Sequence, residues 1–210
     1  MDKYQETFRT WNNIASLYEE KFMDLDIYNE TYDLICASAK KGAALLDVGC
    51  GPGNITKYLL SKRPDFSIHG IDIAPNMITL ARKNNPLASF EVMDCREIAT
   101  LSTSFDGIIG GFCMPYMSEA ESGKFIKDCH HLLKASGLLY LSFVEGDAAN
   151  SGYKTGKDSE RVYFYYHNLE VVKDKLIQAG FQDIQVWKVE YGKPETPKDT
   201  HTIITTFKKS

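Results

Sequence analysis

No stretch of this sequence approaches the roughly 18 consecutive apolar residues that a membrane-spanning helix requires. Its opening, MDKYQETFRT, is charged where a secretion signal would be apolar, and the expectation is a soluble, cytoplasmic protein with no membrane span. An excess of basic charge is also missing, since 24 Lys and Arg stand against 28 Asp and Glu for a net charge of -4. Nucleic-acid binders gain most of their affinity by neutralising phosphates, so a DNA or RNA reader is not expected. The five cysteines, Cys36, Cys50, Cys95, Cys113 and Cys129, are odd in number and include no C-x-x-C pair. Neither a disulfide framework nor a structural zinc site follows from them. No His, Asp or Glu cluster shows ligand spacing, so no metal is expected. Internal repeats and low-complexity tracts are absent, and 210 residues correspond to one domain at roughly 100–200 residues each.

What is present is an alternation. Short apolar runs at 43–49, 67–73, 89–94, 105–112 and 137–144 are separated by segments at 54–63, 75–84, 118–134 and 168–179, whose apolar residues recur every three or four positions. Strands alternating with helices predict an α/β fold with a parallel sheet covered on both faces. The aromatic-containing residues 1–40 predict one or two helices before the first strand, and 145–166 predict a flexible loop running into a strand. Gly180 is placed to end the last helix as a C-cap. Beyond it, FQDIQVWKVEY and HTIITTFKK, joined by the turn-rich GKPETPKD, predict an antiparallel edge hairpin.

The most informative stretch is LLDVGCGPGN at 45–54. A buried strand runs into Gly49, Gly51 and Gly53 and then into a helix, and glycine lets a backbone turn sharply and approach a ligand closely. The spacing is G-x-G-x-G, without the third glycine of dinucleotide enzymes or the Lys-Ser/Thr of a phosphate loop. Failure to match these patterns argues against a nicotinamide-dependent oxidoreductase. Asp47, two residues before the first glycine, would repel a pyrophosphate and suits a cationic ligand. Asp72 follows the second strand, where such folds grip the ribose hydroxyls of an adenosine, and Asp94 follows the third, placed to accept from an adenine amino group. Each Asp alone could be a turn or capping residue; three at successive strand ends beside a glycine loop point to a ligand.

These segments resemble the class I S-adenosylmethionine-dependent methyltransferases, in particular small-molecule members of the UbiE-like type. LDVGCGPGN is similar to the first cofactor motif, GIDIAPNMI to the ribose segment, VMDCREI to the adenine segment, FDGIIGGFCMPYMS to the fourth-strand motif, and HHLLKASGLLYLSF to the helix and strand that follow. Ala135-Ser136-Gly137 stands where the family commonly has Pro-Gly-Gly. The resemblance implies a doubly wound, mostly parallel seven-stranded Rossmann-like sheet with an antiparallel C-terminal edge hairpin and N-terminal capping helices. It implies one methyltransferase domain over 1–210, with a helical cap (1–40), a cofactor-binding core (41–144) and a substrate-side loop with the C-terminal helix and hairpin (145–210).

It also implies S-adenosylmethionine as cofactor. Gly49, Cys50, Gly51 and Gly53 would line its methionine portion, Asp72 and Ile73 its ribose, and Asp94 and Cys95 its adenine. Met77 would pack on the adenine face or in the core, and Gly110, Gly111 and Phe112 would lie beneath the sulfonium. Tyr18, and secondarily Trp11, would cap the amino-acid end. His167 is the candidate general base, its alternative being an exposed or capping histidine; Tyr116 either orients an acceptor or packs. His130 and His131 are expected to be structural. Cys113-Met114-Pro115-Tyr116 lacks the side-chain oxygen of the Asp/Asn-Pro-Pro-Tyr element of enzymes that methylate nucleic acid or protein nitrogen. A small-molecule acceptor is therefore expected, on a monomer or homodimer; the aromatics of the N-terminal helices and of 163–166 either point to a partly apolar, ring-containing acceptor or belong to the core. The alternatives are a non-catalytic S-adenosylmethionine-binding protein and a nucleic-acid or protein methyltransferase.

Overall fold

The computed structural model describes residues 2–156, 160–192 and 198–210. Three helices precede the sheet, not one or two: α1 (Lys3–Asn13), α2 (Ala15–Phe22) and α3 (Asn29–Ser38). Ile14 leaves helical geometry at φ -94° and ψ 13°, so α1 and α2 meet at a bend and do not continue as one rod. There follow β1 (Ala44–Val48), α4 (Asn54–Lys62), β2 (Ser67–Asp72), α5 (Pro75–Asn84), β3 (Ser89–Val92), β4 (Phe105–Gly110), α6 (Glu119–Leu132) and β5 (Leu133–Val144). Local sequence explains where the helices begin and end. Pro75 opens α5, where its missing N–H costs nothing. Ser118 and Glu121 close a reciprocal capping box at the start of α6. Gly180, at φ 95°, terminates α7 (Leu169–Ala179), as its position predicted.

The seven-stranded sheet has the order β3-β2-β1-β4-β5-β9-β8, where β8 is Phe181–Tyr191 and β9 is Asp199–Lys208. The first five strands are parallel, and β9 runs antiparallel to both β5 and β8, the predicted edge hairpin. Residues 193–197 of its connection lie outside the described residues. Alternation sends Leu45 of β1, Tyr140 of β5 and Ile203 of β9 into a core beneath α3 and α4, and Leu46, Leu141 and Ile204 into a core beneath α6 and α7. The order reverses between β1 and β4, and the crevice at the carboxyl ends of the strands there is where open α/β sheets place ligands.

The segment 145–166 corrects one expectation. It holds two strands, β6 (Gly152–Thr155) and β7 (Arg161–Phe164), paired antiparallel as a separate ribbon. Polar contacts fasten this ribbon to α1: Thr10 Oγ1 donates to the Arg161 carbonyl at 2.8 Å, and the Tyr163 N–H donates to Thr7 Oγ1 at 2.9 Å. Buried threonines on one helix supply the ordering that a local reading of glycine and charge could not anticipate.

Candidate functional site

The loop after β1 folds back over the end of β2, with Gly49 N and Cys50 N both donating to the Ile71 carbonyl at 2.8 and 2.9 Å. Gly49, Gly51 and Gly53 have φ of +68°, +52° and +82°, a region open to glycine and strained for other residues. Gly51 N then donates to Asp72 Oδ2 at 3.0 Å, and Ala74 N to Asp72 Oδ1 at 2.8 Å. Two backbone donors thus hold the Asp72 carboxylate at the mouth of the loop. Burial raises its pKa above the usual carboxylate value, and these N–H bonds oppose the rise.

Asp94, after β3, accepts from Arg96 Nε at 3.0 Å on each oxygen. Burial pushes its pKa up, and Arg96 more than reverses this, leaving it below the ordinary value. Asp47 is fully buried. Its Oδ2 accepts from Thr56 Oγ1 at 2.7 Å, while Oδ1 has no hydrogen-bond partner. Burial pushes its pKa up to about 6, against the Thr56 bond and with help from the Asp72 charge. An unpaired buried carboxylate oxygen behind a glycine loop is what an incoming cation would compensate.

A cavity opens over these strand ends. Gly49, Gly51, Asp72, Ile73, Asp94 and Cys95 form its floor and sides, and Met77, itself buried, reaches both this cavity and the small core beneath α1 and α2. The cap closes it with Phe8, Trp11 and Tyr18, and a Cβ placed on Gly51 would stand 3.7 Å from the Tyr18 ring. Phe112 and Tyr116 complete the wall after β4. Phe112 has φ +56°, a costly conformation for a bulky side chain, held by its N–H donating to Ser142 Oγ at 2.9 Å.

A second cavity lies beside that wall. The two share Trp11, Tyr18, Gly49, Gly111, Phe112 and Tyr116. The second continues between Tyr28, Phe164, Tyr191 and His201. The residues that follow β4 are therefore shared by two adjoining clefts.

Most of the expected residues converge here, but five do not reach the cavities. His167 is 4% exposed, and its Nε2 hydrogen-bonds the Met114 carbonyl at 2.8 Å while its ring packs edge-on against Phe143. It joins a pocket with Glu119, Asn168 and Lys175 outside both cavities, so the structure does not make it an acceptor-facing base. The Cys50 side chain packs with Ile78, Ala81 and Phe90. At Gly53 a Cβ would stand 2.3 Å from Asn85 Nδ2, and at Gly110 one would stand 2.9 Å from Leu141; both glycines are required by packing. Asp47 sits behind the loop. His130 packs edge-on against Phe181, and His131 is exposed. Among the described residues no group of three His, Cys, Asp or Glu side chains could hold a metal ion.

Sequence reasoning missed Arg96, Tyr28, Tyr191 and His201. Arg96 carried a signal, two residues from Asp94. The other three come from distant segments and meet only in the folded chain.

A glycine loop, carboxylates after two successive strands and a capped crevice at the switch point of a doubly wound sheet form one small-molecule-sized cleft of an α/β domain. Residues 45–137 match the family model described as a methyltransferase domain. The chain is 34% identical over 116 residues to the malonyl-[acyl-carrier protein] O-methyltransferase of Acetivibrio thermocellus, covering 54% of this chain and 40% of that one. In fold it matches the solved DhpI–SAH complex at a TM-score of 0.76 with 15% identity, covering 99% of this chain and 97% of that one. It also matches magnesium protoporphyrin IX methyltransferase of Synechocystis PCC 6803 with bound SAM, at 0.71 with 17% identity, covering 99% and 98%. The chain spans between about a fifth and two thirds of the length of the curated relatives it matches first. Over residues 45–137 the chain is thus similar to methyltransferase domains, and its fold is that of solved proteins described as S-adenosylmethionine-dependent methyltransferases.

Proposed function

We propose that this protein transfers a methyl group from S-adenosylmethionine to a small-molecule acceptor by in-line displacement, giving S-adenosylhomocysteine. The observation that carries this reading is the pair of cavities sharing one wall at Gly49, Gly111 and Phe112. One cleft has the side chains to hold a cationic adenosine compound, and the other faces it across the residues that follow β4. The fit of the cofactor rests on Asp72 and Asp94 at the cavity wall and on the backbone of Gly49 and Gly51, where no Cβ intrudes. When bound, S-adenosylmethionine supplies an electrophilic methyl group on a sulfonium.

The chain's own tasks are alignment and exclusion of water. Asp72 would accept from the ribose hydroxyls with the lone pairs that Gly51 and Ala74 leave open, and Asp94 would accept from the adenine amino group. Trp11 and Tyr18, whose rings meet edge to face at 5.5 Å, would close the donor from water and present aromatic faces to its positive charge. Tyr116 is retained as an acceptor-orienting candidate, since it borders both cavities.

Isothermal titration calorimetry with S-adenosylmethionine and S-adenosylhomocysteine tests the reading: both are expected to bind, and absence of heat for either overturns it. The Asp72→Ala variant is expected to weaken S-adenosylhomocysteine binding about ten- to hundred-fold, the loss of one or two charged hydrogen bonds. Unchanged affinity would refute the ribose assignment.

A further inference from the structure

The second cavity contains a histidine, His201 on β9, whose surroundings suit proton transfer. His201 is 7% exposed, and its Nδ1 lies 2.6 Å from Tyr28 Oη. Its ring stacks on Tyr191 at 4.8 Å and 16°, and meets Phe112 edge-on at 4.8 Å. Nε2 makes no hydrogen bond among the described residues. Phe112, which belongs to the wall shared with the donor cavity, thus brings the imidazole next to the place where the two clefts meet.

The charge of the lining narrows what could enter. Among the described residues the second cavity is lined by no Lys or Arg, and its one carboxylate, Asp199, is exposed at the rim. A carboxylate acceptor would be desolvated among aromatic rings with no Lys or Arg to hold it, its one compensating charge being the sulfonium that disappears in the transfer, which is costly. A protonated amine would have to approach the positive sulfonium. An uncharged hydroxyl on a flat ring meets neither penalty, and the rings of Tyr28, Phe112, Tyr191 and Phe164 offer faces and edges for it to stack against.

Resting on the methyltransferase reading above, we propose that the second cavity seats a phenol-class acceptor and that His201 Nε2 takes the phenolic proton as the methyl group is transferred. The acceptor oxygen gains the methyl carbon as the donor's carbon–sulfur bond breaks. That electron pair stays on sulfur, which becomes a neutral thioether, and the phenolic proton passes to Nε2 and then to water. This requires Nδ1 to carry the resting proton and donate it to Tyr28 Oη, leaving the Nε2 lone pair toward the acceptor. Burial holds the imidazole below its usual pKa, with the Asp199 and Glu190 carboxylates opposing; burial raises the Tyr28 phenol, which stays neutral at pH 7, and Tyr191 is the other titratable side chain packed against the ring. His201 is thus an unprotonated base at neutral pH, and once protonated it is stabilised by the stacked Tyr191 face.

The test uses the full chain saturated with S-adenosylhomocysteine. Calorimetry with 4-methylphenol, benzoate and benzylamine is expected to show 4-methylphenol, uncharged at pH 7, binding about ten-fold or more tighter than either charged probe. His201→Phe, which fills the space and removes the acceptor nitrogen, is expected to lose about the same factor for 4-methylphenol while keeping its affinity for S-adenosylhomocysteine. Nitrogen NMR of the wild-type imidazole is expected to show the Nδ1–H tautomer, displaced toward Nε2–H in Tyr28→Phe. Equal binding of benzoate or benzylamine, no binding of 4-methylphenol, or an Nε2–H tautomer in the wild type each overturns the proposal. Failure to bind S-adenosylhomocysteine instead overturns the methyltransferase reading beneath it.

Discussion

Single backbone angles separate the residues that serve the ligand from those that serve the fold. Gly51 at φ +52° meets only the Tyr18 ring, 3.7 Å from an added Cβ. Gly51→Ala is therefore expected to cost about 1 kcal/mol of stability from φ strain, and to weaken S-adenosylhomocysteine binding because the methyl group enters the cavity. Gly53→Ala, facing Asn85, is expected to cost more in melting temperature than Gly51→Ala; thermal melts with calorimetry separate the two. Ser136 shows the converse. It stands within the Ala-Ser-Gly that replaces Pro-Gly-Gly and adopts φ +58°, so Ser136→Gly is expected to relieve up to about 1 kcal/mol. That would raise the melting temperature by about 2–4 °C for a chain of this size, and a fall would contradict it. The glycines and Asp72 were legible in sequence because their spacing encodes a local turn. His201 was not, because its chemistry depends on Tyr28, 173 positions away.

At the scale of elements, the cap is held by side chains from several places. Tyr4 Oη donates to Glu121, which also closes the α6 capping box and pairs with Arg96 at 3.2 Å. Arg96 in turn lies 4.2 Å from the Tyr4 ring and pairs with Asp94. Asp94 is thus linked to α1, and through Thr7 and Thr10 to the β6–β7 ribbon. Hydrogen exchange is expected to slow in α1 and the ribbon together when S-adenosylhomocysteine binds, and Thr10→Val is expected to uncouple them. Slowing confined to the glycine loop would show that the cap does not respond. The ribbon was read as a loop running into a strand because its strands are short and its stability comes from contact with α1; the five parallel strands were legible because each carries a short apolar segment and is followed by a stretch of helical period or turn residues.

For the whole molecule, buried titratable groups set the response to acid. Burial lowers the pKa of His130, His167 and His201, so the folded state stays neutral where the unfolded chain takes up protons below about pH 6.5. Stability is then fully present above that pH and is lost as pH falls toward the folded values. Asp47, raised to about 6, and Asp72, also raised, act in the opposite sense, because the folded state binds their protons first. Three imidazoles against two carboxylates lead to an expected fall in melting temperature between pH 7.5 and 5.5, read by calorimetric scans; a rise would show that the carboxylates dominate.

Hydrophobic period and turn chemistry, both properties of neighbouring residues, were enough for the sequence alone to determine the class of fold, the parallel core, the edge hairpin and the placing of the glycine loop and of Asp72 and Asp94 at the strand ends. The three-helix cap, the ribbon clipped to α1, the displacement of His167 from the site and the meeting of Tyr28, Phe112, Tyr191 and His201 were decided only by tertiary structure. Each depends on groups far apart in the chain, whose contact becomes favourable only after the sheet has buried its two cores and brought them to the same end.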